Sequence, residues 1–186
     1  RIQDSTNLDP LIITESTGTA PSLGNYYWTQ VGFDIDGEAA GDSFGRSVSL
    51  SSDGTILAIG GPNNDGNTDN SGNNSGHVRV YKWRLYTQAD ANVYNYESRI
   101  QSSSQIKPLI ITESINTPPS PGNYYWTQLG EDIDGKAADD ESGFSISLSS
   151  DGTIVAIGAI GNDTNRGYVR VYKYDGSSWL QVGEDI

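Results

Sequence analysis

The sequence predicts an all-β protein built from repeated four-stranded antiparallel units. Three observations lead to this prediction: a long internal repeat, alternation of apolar and polar residues with a period of two, and tight-turn sequences between the alternating segments. The composition agrees, because only 34% of the 186 residues are hydrophobic and glycine occurs 22 times. Short strands joined by tight turns suit this mixture better than helices do.

The internal repeat relates two long stretches of the chain. RIQDSTNLDPLIITESTGTAPSLGNYYWTQVG begins at Arg1 and RIQSSSQIKPLIITESINTPPSPGNYYWTQLG begins at Arg99, an offset of 98 residues. A third start, WLQVGEDI, appears at Trp179, 53 residues after Trp126. The basic unit is therefore about 53 residues long, and the residues from 84 to 123 stand in the first copy where the second has only DGSS.

Each strand of the unit is predicted from its own pattern. SVSLS, from residue 47, alternates like a half-buried strand, and SSDGT then supplies a tight turn in which Gly54 can adopt positive φ. TILAIG is more continuously apolar and is predicted to be a central return strand. HVRVYKW alternates again, with Val78 and Val80 on one face. DGSS closes a last hairpin into WLQVG, so each unit is a four-stranded meander.

Repeated four-stranded units of about 40 to 55 residues are typical of β-propeller blades. The Phe-Gly pair at 44–45, followed by Gly-Gly-Pro at 60–62, resembles the FG-GAP repeat of integrin-α-type propellers. The second copy keeps the motif more loosely, with Gly-Phe at 143–144 and Gly-Ala at 158–159. The resemblance implies a β-propeller-like fold. Since a closed ring has about four to eight blades, two blades imply a partial ring or assembly from several copies.

The repeat also predicts the organisation of the chain. The absence of Met and the start at Arg1 lead us to expect a processed product or a piece of a longer protein. The predicted parts are a linker/strand segment at 1–27 that is repeated at 99–125, a first blade-type repeat at 28–83, an insertion with extended strands at 84–125, and a second blade-type repeat with the start of the next at 126–186. In terms of blades, 28–35 is predicted to be the outer strand of a blade whose inner strands are missing, 47–83 with 126–133 to form one blade, and 145–186 to form a second.

Charge and residue inventory exclude several functions. The net charge of −13 argues against binding to nucleic acid or to an anionic membrane surface, and no apolar run approaches the length of a membrane span. Without cysteine there is no disulfide framework and no thiol catalysis. The single histidine, His77, occupies the position of Tyr168 in the other copy, and we interpret it as a replaceable strand residue.

Calcium is the cofactor that the family resemblance brings into question. FG-GAP repeats of the integrin type often bind calcium through a D-x-D-x-D-G-x-x-D loop, but here that loop is reduced to SSDGT, with only Asp53 and Asp151. No other cofactor is indicated, and the remaining acidic loops can equally be read as turn sequences. The calcium candidates in those loops are Asp34, Asp36, Asp65, Asp69, Asp132 and Asp134.

Two further kinds of site follow from local motifs. The sequons at Asn73 and Asn162 lie between the second and third strands of their units and are predicted glycosylation sites, although matches in an Asn- and Ser-rich chain can be idle. PLIITES, present twice, is predicted either to pack on its own domain or to add as a strand to another copy. Its apolar residues, predicted to mediate self-association, are Leu11, Ile12, Ile13, Leu109, Ile110 and Ile111.

The function predicted from these features is structural or adhesive. We expect a non-catalytic, secreted or cell-surface repeat glycoprotein that self-assembles, as a fibre or surface-layer component. Its partners would be other copies, further repeats of a longer chain or glycans. A glycan-binding or glycan-active propeller is the alternative, and an intracellular protein-binding propeller is a third possibility. Because a central site draws different residues from each blade, the close repetition of blade residues favours the scaffold.

Overall fold

The computed structural model describes residues 30–65, 73–85, 87, 122–161 and 166–186. The chain divides into two compact units, Arg1–Phe33 and Asp34–Ile186, and only residues 30–33 of the former are described. The latter unit contains two antiparallel β-sheets. No helix long and apolar enough to cross a bilayer occurs among the described residues.

The first sheet, called the first blade here, consists of five strands. In the order of the sheet these are β1 (Ser47–Leu50), β2 (Ile56–Gly61), β3 (His77–Leu85) and β4 (Tyr124–Gln128), each antiparallel to its neighbour. The short strand β5 (Ile133–Asp134) pairs with the beginning of β3, beyond the end of β4. The chain therefore returns along β3 after completing the four-stranded meander.

The second sheet, the second blade, repeats this meander. Its strands are β6 (Ser145–Leu148), β7 (Ile154–Ala159), β8 (Tyr168–Tyr174) and β9 (Trp179–Gln181), in that order across the sheet. The predicted all-β, blade-type fold class is thereby confirmed, although the two sheets do not close a ring.

The turn SSDGT between the first two strands of each blade is held by its aspartate. In the first blade, Asp53 Oδ1 accepts hydrogen bonds from Ser51 Oγ at 2.7 Å and from the Thr55 amide at 3.0 Å. Gly54 has φ of 74°, as the turn requires. The second blade repeats the arrangement around Asp151. The aspartates fix the turn and thereby the register of each hairpin.

The two blades pack face to face through a shared apolar core. Val78 and Val80, predicted to share one face of β3, are 0% and 1% exposed, and they lie on the face that meets the second blade. Ile146 and Leu148 of β6 pack against this core from the other side. The buried members of the core are Ile56, Ala58, Val78, Val80 and Ile133 of the first blade and Val155 and Ile157 of the second.

Polar contacts fix the second blade on the first. Ser47 Oγ donates to the Gly143 carbonyl at 2.7 Å, and the Leu148 amide donates to Ser49 Oγ at 2.9 Å. Ser47 and Ser49 therefore face the second blade. Because side chains alternate along a strand, Val48 and Leu50 point to the opposite side of the sheet.

The predicted outer strand at 28–35 is wrong for the residues that are described. Residues 30–35 form no strand, because an outer strand exists only where a neighbouring strand pairs with it, and the two described ladders begin at Ser47 and Ser145. The β3–β4 ladder extends to the pair Leu85 and Tyr124. Both ends of the predicted 84–125 insertion are thus strand residues.

Candidate functional site

Three ionisable side chains meet at the edge of the first blade. His77 is the first residue of β3, Asp132 directly precedes β5, and Glu38 lies in the segment before β1. The pairing of β5 with β3 brings Asp132 to the beginning of β3. One potential ligand atom from each of these residues lies within 4.8 Å of the other two. We call these residues the Glu38–His77–Asp132 cluster.

Arg79 joins the cluster because alternation along β3 places it on the same face as His77. Its Nε donates to Asp132 Oδ1 at 3.2 Å, and its guanidinium also forms an ion pair with Glu38. The Arg79 side chain is 5% exposed, compared with 14% for Asp132 and 27% for Glu38. Solvent therefore reaches the cluster from the side of the two carboxylates.

The imidazole ring of His77 lies buried in this cluster, and its two nitrogens have no hydrogen-bond partner. The residue is 0% exposed, and neither Nδ1 nor Nε2 makes a hydrogen bond. Nδ1 lies 3.8 Å from Asp132 Oδ2, and the ring of Phe44 contacts the imidazole edge-on. Burial lowers the pKa of His77 to about 4, and the charge of Arg79 adds to the lowering. The imidazole is therefore neutral at neutral pH.

The carboxylates around His77 outnumber the cations. Asp132, Glu38 and Asp42 all act on the imidazole as negative charges, and Arg79 acts as a positive one. Asp42 itself is 6% exposed, and its Oδ2 accepts a hydrogen bond from the side chain of Asn64 at 2.9 Å. These four charged groups have a net charge of −2.

The corresponding place in the second blade is filled differently. Lys136 stands where the first blade has Glu38, and Tyr168 stands in place of His77. The Tyr168 hydroxyl donates to Asp140 at 2.6 Å, and burial followed by this hydrogen bond raises its pKa. Lys136 Nζ lies 3.3 Å from Asp185 Oδ1, and Arg170 Nε donates to the same oxygen at 2.8 Å. The two cations and two carboxylates balance.

The Arg–Asp pair is common to both blades and has a structural role. Asp132 also accepts a hydrogen bond from Gln128 at 2.6 Å, as Asp185 does from Gln181 at 2.9 Å. The bonds from Arg170 lower the pKa of Asp185 to about 2. In each blade the pair connects the third strand to the segment that follows the fourth strand.

The predicted calcium candidates are scattered. Asp34 and Asp36 are exposed, and Asp65 Oδ1 accepts a hydrogen bond from the Asn74 amide at 3.2 Å. Asp134 is a strand residue of β5, and Asp69 lies outside the described residues. Of these candidates, within the part of the chain that the structure describes, only Asp132 belongs to a cluster of three potential metal ligands.

The SSDGT turns do not fit the calcium loop of the family. Asp53 and Asp151 each provide one carboxylate, and each carboxylate accepts hydrogen bonds from the Ser and Thr of its own turn. Calcium requires about six to eight oxygen ligands. We therefore assign these aspartates to the turn.

The predicted sugar and self-association sites are only partly described. Asn73 is partly exposed, and its Oδ1 accepts a hydrogen bond from the amide of Ser75, which is 6% exposed. Asn162 and the apolar residues of both PLIITES segments lie outside the described residues. Glycosylation and self-association at these sites remain predictions.

Sequence reasoning missed two members of the cluster, Glu38 and His77. The three residues are far apart in the chain, and no spacing motif joins them. A signal was nevertheless present, because both residues depart from an otherwise close repeat, where the second copy has Lys136 and Tyr168. These two differences between the copies meet at one place in the first blade.

Comparison with known proteins relates part of the chain to a protein family. A family model described as FG-GAP repeat matches residues 35–81, from the segment before β1 into β3. This range includes Phe-Gly at 44–45 and Gly-Gly-Pro at 60–62. Neither a curated protein nor a solved structure matches the chain. Over residues 35–81, the chain is therefore similar to the FG-GAP repeat family.

Proposed function

We propose that this protein is a non-catalytic structural or adhesive module that associates with other copies of itself, blade on blade, outside the cell or at its surface. The proposal rests on a comparison of equivalent faces in the two blades. The first blade buries one of its faces against the second blade. The equivalent face of the second blade is left open. FG-GAP repeats are typically extracellular, which supports the proposed location.

The open face consists of the counterparts of core residues. Ile56 and Val78 are 9% and 0% exposed in the contact between the blades. Their counterparts in the second blade, Ile154 and Val169, are each 39% exposed. The second blade thus presents to solvent a face that the first blade buries against its neighbour.

The other half of the same contact is also open. Ile146 and Leu148 of β6 pack against the core between the blades. Their counterparts in β1, Val48 and Leu50, are 62% and 54% exposed. A second copy can therefore pack its β1 on the open face of the second blade. This contact would be equivalent to the packing of β6 on the first blade. Such a head-to-tail contact generates a ring if it closes and a filament if it does not.

The proposal is tested by sedimentation velocity over a wide concentration range. We expect the unaltered chain to associate with increasing concentration and the Ile154→Lys, Val169→Lys double variant to stay monomeric, because two charges cannot be buried unpaired. Lys82→Ala, which alters an exposed residue of the first blade, serves as the control and should associate like the parent. A parent chain that is monomeric at every concentration would contradict the proposal.

A further inference from the structure

The Glu38–His77–Asp132 cluster has the ligand chemistry of a transition-metal site, and we propose that it binds one zinc(II) ion. The proposal does not rest on the proposed function, although the cluster lies on the face of the first blade that also presents Val48 and Leu50, because its test measures metal binding and not association between copies. It assigns His77 and Glu38, which the repeat pattern leaves unexplained, to one site.

The spacing of the cluster is close to that of zinc ligands. Zinc bonds of about 2.1 Å in tetrahedral geometry place two ligand atoms about 3.4 Å apart. His77 Nδ1 and Asp132 Oδ2 are separated by 3.8 Å. One ligand atom from each of Glu38, His77 and Asp132 lies within 4.8 Å of the other two. The Glu38 side chain is 27% exposed, so that a rotation of this side chain would bring its carboxylate to bonding distance as the third ligand. Water from the same side can occupy the fourth position.

The unpartnered imidazole is the second, independent observation. A buried polar group without a hydrogen bond is destabilising, because it has lost its water and gained nothing in return. His77 has both ring nitrogens in this condition, and one of them points to a carboxylate at 3.8 Å. A neutral imidazole beside two carboxylates is a ligand set that suits zinc. Coordination would satisfy the nitrogen that the protein leaves unsatisfied.

The corresponding place in the second blade has side chains whose charges balance. There Lys136 contributes a positive charge to Asp185, and Tyr168 replaces the imidazole and finds its own partner in Asp140. In the first blade the position of that lysine holds a carboxylate, and the charged groups around His77 sum to −2. A divalent cation restores the balance that the second blade achieves with its lysine.

Arg79 does not exclude the ion. It contacts Asp132 and Glu38, but each carboxylate oxygen has two lone pairs and can accept a hydrogen bond while it coordinates a metal. Carboxylate ligands of metals are ordinarily hydrogen-bonded in this way. Arg79 would therefore orient the two acidic ligands.

Imidazole nitrogen selects zinc over calcium. Calcium in proteins takes oxygen ligands, about six to eight of them, whereas zinc takes nitrogen and oxygen from about four. The cluster offers one nitrogen and two carboxylates. We therefore expect calcium in large excess not to displace zinc.

The test uses the full chain, without an affinity tag and stripped with a chelator. Equilibrium dialysis against zinc chloride, followed by elemental analysis, should give one zinc per chain. His77→Tyr, which introduces the residue of the second blade, should weaken zinc binding by more than about a hundredfold. Loss of a residue that only forms a hydrogen bond to a metal ligand lowers the metal affinity by about 10- to 100-fold, so a larger loss indicates a direct ligand. Glu38→Gln should also weaken it, and circular dichroism shows whether each variant is folded.

Asp36→Asn is the matched control, because Asp36 is an exposed carboxylate outside the cluster. It should bind one zinc with unchanged affinity. Cobalt(II) offers a second readout, since the absorption bands of a nitrogen-coordinated ion should appear in the parent chain and disappear in His77→Tyr. The proposal is overturned if the parent binds no zinc, if folded His77→Tyr and Glu38→Gln bind it like the parent, or if calcium competes equally.

Discussion

At the scale of single residues, Gly60 and Gly143, two glycines of the FG-GAP-like motifs, are explained by contact between the blades. A Cβ on Gly60 would collide with the carbonyl oxygen of Gly143 and with Ser47 Oγ. Gly143 has φ of 91°, and a Cβ there would lie 2.5 Å from the carbonyl oxygen of His77. Gly60 of the first blade and Gly143 of the second blade therefore contact each other. The absence of a side chain at both positions allows the two blades to approach closely.

Gly60→Ala should destabilise the protein, and Gly158→Ala should not. The former substitution overpacks the contact between blades, at a cost of about 1–3 kcal/mol. Gly158 occupies the same position in the second blade, where a Cβ would collide only with the rotatable hydroxyl of Ser145 and would find its next neighbours at 3.7 Å. We expect a cost of less than about 1 kcal/mol there. Urea unfolding at low protein concentration measures both, and equal costs would refute this explanation of the motif.

At the scale of strands and turns, the hairpins of each blade could be predicted from the sequence because their information is local. Alternation in SVSLS and HVRVYKW and the Asp-Gly pair in SSDGT specify strand faces and turns within a few residues. The β5–β3 pairing could not be predicted, since two residues carry no period and their partner lies more than fifty positions away. The candidate site depends on that pairing, which is why Glu38, His77 and Asp132 could not be joined beforehand.

Carboxylates that hold these elements should make the fold acid-sensitive. Hydrogen bonds from Ser149 and then Thr153 lower the pKa of Asp151 to about 2, and Arg170 first of all lowers that of Asp185 to about 2. An unfolded aspartate has a pKa of about 3.9. Because the folded values are the lower ones, the unfolded chain binds protons first as pH falls. Their stabilisation is therefore complete above about pH 4 and is lost progressively toward about pH 2.

Urea midpoints between pH 6 and pH 2 check this expectation. The Asp151→Asn, Asp185→Asn double variant should be less stable at pH 6 and should lose less stability than the parent on acidification, because it lacks two of the titrating groups. The exposed Asp36 gives the matched control, Asp36→Asn, which should follow the parent curve. A double variant with the same pH dependence as the parent would show that other groups govern the acid transition.

At the scale of the whole molecule, each of the two described blades has one apolar face that is open to solvent. The second blade presents Ile154 and Val169 to solvent, and the first presents Val48 and Leu50. In a repeat protein each unit is stabilised mainly by its neighbours, so both faces favour a further copy. The PLIITES segments are predicted to offer another means of association, by strand addition at a sheet edge.

Double variants separate these two means of association. If PLIITES joins copies, Ile12→Lys with Ile110→Lys should reduce assembly in light scattering, because lysine on an edge strand opposes strand pairing. If the open face alone joins copies, that variant should assemble like the parent while Ile154→Lys with Val169→Lys does not. We expect both double variants to be impaired, with the open-face variant arrested as monomers and the PLIITES variant limited to shorter assemblies. A folded PLIITES variant that assembles like the parent would assign those segments to packing within one chain.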